Sequence, residues 1–224
     1  MSDAANQDEL AQLRELLIKH PPMARALPAF EVADAPERPG ELFVNWLLGA
    51  LRAGVPDAQV MVLGTAGPDA RVVVLRDVDP GEGAWWFAGD ARSPKGRQLA
   101  ADPQASLTFY WPALGRQVRV RGAVEIGAQE GTEEAFRLLS PNSRTAALVG
   151  RQSEPLADPA EFTEAWTTAA QRLAAEPDTV AEGYTRYAVR AGEVEFWQGA
   201  ADRRHVRLHY RRTADGWQRE LSWP

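Results

Sequence analysis

The sequence predicts an α+β domain built on a mostly antiparallel sheet that curls toward a small barrel, with helices flanking it. Three observations predict it. Apolar and polar residues alternate with period two through 58–67, 71–79, 116–127 and 204–212, and each run is bounded by Gly, Pro or Asp. Segments of helical period lie between and outside these runs. No internal repeat or low-complexity tract divides the chain, so its 224 residues read as one main domain, 40–224, preceded by a helix and arm, 1–39.

Residues 7–19 place Leu10, Leu13, Leu16 and Leu17 on one helical side, and Pro21 and Pro22 end that helix. The proline-rich stretch to about Gly40 reads as an arm or linker rather than a packed element. An amphipathic helix follows over 41–54, stopped by Gly54 and Pro56. Strands are expected at 58–67 and 71–79, joined by a turn at Gly67-Pro68-Asp69, then at 84–89, 105–111 and 116–127. Ser93, followed by Pro94, opens a short helix between them. Segments 133–140 and 143–150 read as helical, and Asp158 caps a longer helix to Glu176. Strands at 183–192, 193–199 and 204–212 follow, then one near Trp217 to Leu221 entered through a turn at Asp215-Gly216.

Composition removes whole classes of function. The chain has no cysteine, hence no disulfide, thiolate ligand or cysteine nucleophile, which suits a reducing cytoplasm. Its start, MSDAANQDELAQ, has neither the basic residues nor the apolar core of a secretory signal. No apolar run approaches the ~18 residues a membrane span requires. A formal net charge of −6 disfavours nucleic-acid binding, which draws its affinity from neutralising phosphates. There is no GxGxxG after a strand, no Walker loop and no GxSxG elbow, and three histidines are too few and too scattered for a histidine metal site. Reactivity is therefore expected from a cofactor.

Against the acidic background, Arg203, His205, Arg207, His209 and Arg211 alternate with Val206, Leu208 and Tyr210. That pattern reads as a strand with a cationic row, facing either an anionic small molecule or solvent and surface carboxylates. Three further segments supply parts of an anion pocket. Arg71 and Arg76 have opposite parity along one run, Ser93 to Lys95 stands at a helix start, and Gln117, Arg119 and Arg121 share a strand face.

Taken in order, these segments resemble the FMN-dependent pyridoxamine 5′-phosphate oxidase family. The matching stretches are RVVVLR (71–76), SPKGRQLAADPQASLTFYW (93–111), GRQVRVRG (115–122), SRTAALVGRQS (143–153), EFWQGAADRRHVRLHY (195–210) and a terminal LSWP. EFWQG followed by Arg203, His205 and Arg207 is the most specific piece. The resemblance implies an FMN-binding split β-barrel forming a homodimer with FMN at the interface, a small-molecule substrate, and O₂ as electron acceptor. It implies that Arg71 and Lys95 contact the FMN phosphate, that Val72, Leu75, Arg76, Ala88 and Gly89 belong to the same cofactor site, and that Gln117 lies beside the flavin. Gln152 and Ser153 are then expected from the other subunit's side with Trp197 and Arg207. Arg203 and His205 become the catalytic pair facing substrate, and Arg76 and Ser143 hold its phosphate. The implied reaction moves hydride from a substrate carbon to flavin N5, and O₂ then gives H₂O₂.

The chain departs from the family pattern at several points. Pro94 replaces an arginine of the flavin-phosphate motif, and Arg76 stands where vitamin-B6 oxidases use lysine. Ala135 and Leu139 stand where those enzymes carry a tyrosine and an arginine for substrate phosphate, and a single Gly183 replaces a glycine pair. EGY and TFYW also resemble the flavin oxidases of phenazine biosynthesis. Three readings follow: oxidation of pyridoxine or pyridoxamine 5′-phosphate, oxidation of another cyclic substrate such as a dihydrophenazine, and flavin binding without turnover.

Overall fold

The computed structural model describes residues 3–224. Helix α1 (Asp3–Lys19) leads, and Leu10, Leu13, Leu16 and Leu17 on it are exposed. Helix α2 (Pro39–Arg52) is opened by Pro39 in its first turn, and it buries Leu42, Phe43, Trp46 and Ala50. Strands β1 (Val60–Thr65), β2 (Asp69–Val74), β3 (Asp77–Asp79) and β4 (Ala84–Asp90) follow. Helix α3 (Pro94–Ala101) separates them from β5 (Gln104–Trp111) and β6 (Arg116–Ile126). Three helices, α4 (Gln129–Arg137), α5 (Pro141–Val149) and α6 (Pro159–Ala175), precede β7 (Tyr184–Gln198), β8 (Val206–Thr213) and β9 (Gly216–Leu221).

The strands form one sheet of nine among the described residues, in the order β2-β1-β5-β6-β7-β4-β3, with β8 and β9 continuing from β7. Every pairing is antiparallel. Strand β7 is the spine. It pairs with β6 on one side, while on the other its first half (Tyr184–Arg190) pairs with β4 and its second half (Glu193–Gln198) with β8. A bulge at Gly192 of β7, opposite the Arg121–Gly122 step of β6, marks the change of neighbour. Two expected strands, 183–192 and 193–199, are thus one.

The converse correction applies to 71–79, which is two strands. Leu75 N donates to Gln59 O at 2.9 Å, and Arg76 N donates to Trp86 O at 2.8 Å, so the chain leaves β1 and joins β4 between adjacent residues. Strand parity therefore does not carry from Arg71 to Arg76.

Helix α2 plugs the concave face. Phe43 is fully buried and meets Trp85, Phe109 and Trp111 at ring separations of 5.5, 4.8 and 6.4 Å, and Trp46 meets Phe196 edge-on at 5.2 Å. Trp46, Trp85 and Trp111 are structural for this reason.

The second half of the arm, 30–40, is packed, contrary to its loop-like composition. Phe30 meets Trp46 edge-on at 5.0 Å, Tyr210 Oη donates to Pro36 O at 2.7 Å, and Arg219 donates to Ala35 O. Proline lacks an N–H, but its carbonyl still accepts, and side chains from the C-terminal strands satisfy this strap.

Candidate active site

One group of candidate residues gathers where α3 begins. Ser93 caps the helix, its Oγ accepting from Gly96 N at 3.3 Å and donating to Asp90 O at 2.6 Å. One residue into the helix, Lys95 is 93% buried at 7% exposure. Its Nζ donates to Ser93 Oγ at 3.1 Å and to the Gln152 side-chain oxygen. Both acceptors are neutral, and no carboxylate lies within ion-pair distance of Lys95 among the described residues. Burial, then the charge of Arg71, push the ammonium below the usual lysine value, with Asp90 opposing. Asp90 itself is held by Arg92, whose Nε and Nη2 lie 3.0 and 2.9 Å away. Arg71 donates to Thr65 Oγ1 at 2.7 Å and Gln98 Oε1 at 3.0 Å and pairs with Asp69. Gly89 makes room for the lysine stem, since a Cβ there would come within 2.6 Å of Lys95 Cε.

Beside this group lies a cavity of about 310 Å³ bordered by Arg76, Ala88, Gly89, Ser143, Gln152 and Tyr184. The loop closing it is strained, with left-handed φ of 55° at Arg151 and 69° at Ser153. Gln152 stands beside Lys95 of its own chain, apart from Trp197 and Arg207 within that chain. Leu75 lies in the hydrophobic core with its N–H given to Gln59 O, while Val72 is 66% exposed on the outer sheet face.

A second group lies on that outer face. Tyr110, Gln117, Trp197 and Arg207 are direct cross-strand neighbours on β5, β6, β7 and β8, which puts them in one row. In the adjacent row Glu195, only 6% exposed, receives Arg207 Nε at 2.7 Å and Arg119 Nη1 at 3.0 Å, while His209 Nε2 lies 3.4 Å away. Glu193 pairs with Arg121 and Arg211. The cationic alternation is therefore largely answered by carboxylates of β7, and β8 begins only at Val206, leaving Arg203 and His205 in the preceding loop.

That loop is ordered by its own hydrogen bonds. Ala200 N donates to His205 Nδ1 at 2.9 Å, which makes Nδ1 an acceptor and places the neutral ring's proton on Nε2. The imidazole lies 4.8 Å from the Trp197 ring centroid. Arg203 is exposed and holds a φ of 68°, in the left-handed region. No hydrogen bond or ion pair joins this group to the Lys95 group within the chain, among the described residues.

Burial alone would raise the Glu195 carboxyl, but the Arg207 hydrogen bond and the charges of His209, Arg207 and Arg119 outweigh it and hold its pKa below the usual value. A depressed carboxylate contributes stability above its unfolded pKa and loses it as pH falls through the folded one. Glu195→Gln is therefore expected to cost about 2 kcal/mol at neutral pH and to flatten the acid limb of stability. Urea unfolding at about pH 7 and about pH 3 checks this; equal losses at both would refute the ion-pair account.

Residues 47–163 match the family model described as pyridoxamine 5′-phosphate oxidase, and 184–224 match that of the pyridoxine 5′-phosphate oxidase C-terminal dimerisation region. The chain belongs to the pyridoxamine 5′-phosphate oxidase family. A pyridoxine/pyridoxamine 5′-phosphate oxidase from Thermosynechococcus vestitus is 40% identical over 196 residues, covering 86% of this chain and 92% of the relative. One of the same description from Pseudomonas paraeruginosa is 34% identical over 198 residues, covering 86% and 91%. Among solved structures, PhzG from Burkholderia lata 383, in complex with tetrahydrophenazine-1-carboxylic acid, superposes with a TM-score of 0.79 at 25% identity, covering 89% of this chain and all of that one. An FMN-binding protein related to pyridoxamine 5′-phosphate oxidase from Nostoc punctiforme shares the fold, with a TM-score of 0.69 at 18% identity over 85% of this chain and 100% of that one. The split-barrel fold of the family is the fold of this chain.

Set in this family, residues that sequence reasoning missed become visible. Gln98 lies one helical turn beyond Lys95 and bonds Arg71, a spacing that could have flagged it. Tyr184 borders the cavity beside Arg76, and Glu195 sits inside the EFWQG motif, where alternation with Glu193 was the available signal.

Proposed function

We propose that the chain is an FMN-dependent oxidase of a ring substrate, working as a homodimer that holds FMN between subunits. The observation that carries the reading is Lys95, a buried ammonium with neutral partners beside a second cation, Arg71. Burying an ammonium without an anion is costly, and a phosphate ester removes that cost. The donor set fits one: guanidinium, ammonium and a helix start within one cluster. Gln117, Trp197 and Arg207 supply an amide, an aromatic surface and a cation on the outer face, where exposed Val62 and Val72 suit contact with a second copy.

Bound FMN supplies the two-electron acceptor that takes hydride from a substrate carbon and passes the electrons to O₂, giving H₂O₂. The chain's own residues place and exclude. Arg71 and Lys95 fix the phosphate end. His205, its Nδ1 occupied by Ala200 N–H, directs Nε2 toward substrate, and Arg203 adds positive charge on the same loop. Arg76 and Ser143 border the cavity as candidate contacts for the substrate's anion.

Pyridoxine or pyridoxamine 5′-phosphate is the first substrate, supported by relatives of that description covering most of both chains. A second reading, a partly reduced multi-ring acid, draws on Ala135 and Leu139 bordering the cavity wall and on similarity to PhzG. Purified protein is expected to be yellow, and anaerobic pyridoxine 5′-phosphate to bleach it. Retained colour with that substrate and bleaching by a dihydrophenazine carboxylate would select the second reading. A preparation that takes up no FMN would end both. Replacing His205 by Asn is expected to slow bleaching roughly 100-fold while leaving flavin retention intact.

A further inference from the structure

We propose that Arg186 is a specificity-determining residue, gripping with Arg76 the anionic group of the substrate from the sheet side of the cavity. This rests on the oxidase reading above and names what that reading leaves open, the partner of the substrate's anion.

The first cavity adjoins a second of about 310 Å³ beside α4, and the two share Arg76, Leu139 and Tyr184. Helix α4 offers this second space Glu134, Ala135 and Leu138 but no cation, and its one arginine, Arg137, is exposed and pairs with Glu133. The cations come from the opposite wall. Strand β7 contributes Arg186, directly across from Ala88 of β4. Trp86 positions both arginines: its carbonyl anchors Arg76 N at 2.8 Å, and its ring lies 4.6 Å below the Arg186 guanidinium.

Arg186 is held but not satisfied. Nη1 donates to Gly131 O at 3.3 Å, Nη2 lies 3.8 Å from Asp77, and buried Nε has no partner. The loosely held Nη groups keep hydrogen-bonding capacity for a ligand oxygen. The acids facing this space are weak competitors. Asp77 is 64% exposed at a loose distance, Glu134 is exposed, and Asp90 is engaged by Arg92. Arg76 forms no ion pair among the described residues. Tyr184 borders the same cavity and feels both charges. Two guanidinium forks and a phenol bordering one cavity match the oxygens of a phosphate ester or a ring carboxylate.

The test measures binding to the FMN-loaded protein by titration, without turnover, using pyridoxal 5′-phosphate against pyridoxal and phenazine-1-carboxylate against phenazine. Wild type is expected to prefer the anionic member of at least one pair, and the pair that shows it separates phosphate from carboxylate. Arg186→Gln is expected to shrink that preference roughly 10- to 100-fold with FMN still bound. Arg186→Lys, which keeps charge without the fork, is expected to fall between. Should Arg186→Gln fail to fold, Arg186→Lys decides: a preference equal to wild type overturns the proposal. No anionic preference in wild type, or an undiminished one in Arg186→Gln, also overturns it. Failure to load FMN at all would instead strike the parent reading, and with it this one.

Discussion

Lys95→Met is expected to weaken FMN binding roughly 10- to 150-fold while making the flavin-free protein more stable. The two effects share one cause. Lys95 is buried against neutral oxygens, and burial and the Arg71 charge hold its pKa below the ordinary lysine value. Between the lowered folded value and the ordinary unfolded one, the unfolded chain binds more protons, so flavin-free stability rises with pH through that window. Below it the lysine is charged in both states, and the full burial cost remains. Methionine fills a similar volume without charge, so the cost and its alkaline pH dependence both disappear. Each kcal/mol regained is worth about 2–4 °C in Tm for a chain of this size. Scanning calorimetry with and without FMN, plus flavin titration, separates the effects. Unchanged flavin affinity would remove Lys95 from the phosphate site; a lower flavin-free Tm would mean the ammonium is structurally paired.

How much of this was legible beforehand depends on the range of the interaction. Ser93 as a cap, Asp158 as a cap and the period-two runs at 58–67 and 116–127 are local, and they appear where expected. Lys95 was visible as a cation at a helix start, because sequence neighbours alone create that setting. The break after β2 was not visible, since Val72, Val73, Val74 and Leu75 read as one apolar run while the exchange of partners depends on Gln59 and Trp86. The arm was misread for the same reason. Its prolines announce a loop, but Tyr210 and Arg219, more than 170 positions away, turn its carbonyls into a packed strap. In the cationic row, the charges were correct and the partner was not. Cross-strand register brings Glu193 and Glu195 opposite Arg211 and His209, and no spacing along the chain reports register between distant strands. Arg186 escaped notice because an arginine in a strand is ordinary until α4 is seen to offer no cation.

Gly122→Ala is expected to cost about 3 kcal/mol or more, whereas Gly192→Ala, at the same bulge, is expected to cost less than about 1 kcal/mol. Arg121 pairs with Glu193 and Gly122 with Ala191, so Gly192 is the extra residue of β7. A Cβ on Gly122 would fall 1.8 Å from Arg190 O and 2.7 Å from Arg190 C, backbone atoms that cannot rotate aside. A Cβ on Gly192 meets nothing nearer than Arg121 O at 3.9 Å. The close approach at Gly122 lets one continuous strand serve two neighbours. Its first half carries Tyr184 and Arg186 against β4, and its second carries Glu195 and Trp197 against β8. Forcing β6 and β7 apart there shifts the cavity wall relative to the Gln117–Trp197–Arg207 row, so Gly122→Ala is expected to lose flavin even where it still folds. Urea midpoints for the two variants, measured beside flavin retention, check this. Equal destabilisation at both glycines would mean that the bend is set by backbone entropy rather than by contact. A stable Gly122→Ala protein with normal flavin content would show that the two halves of β7 need no fixed relation.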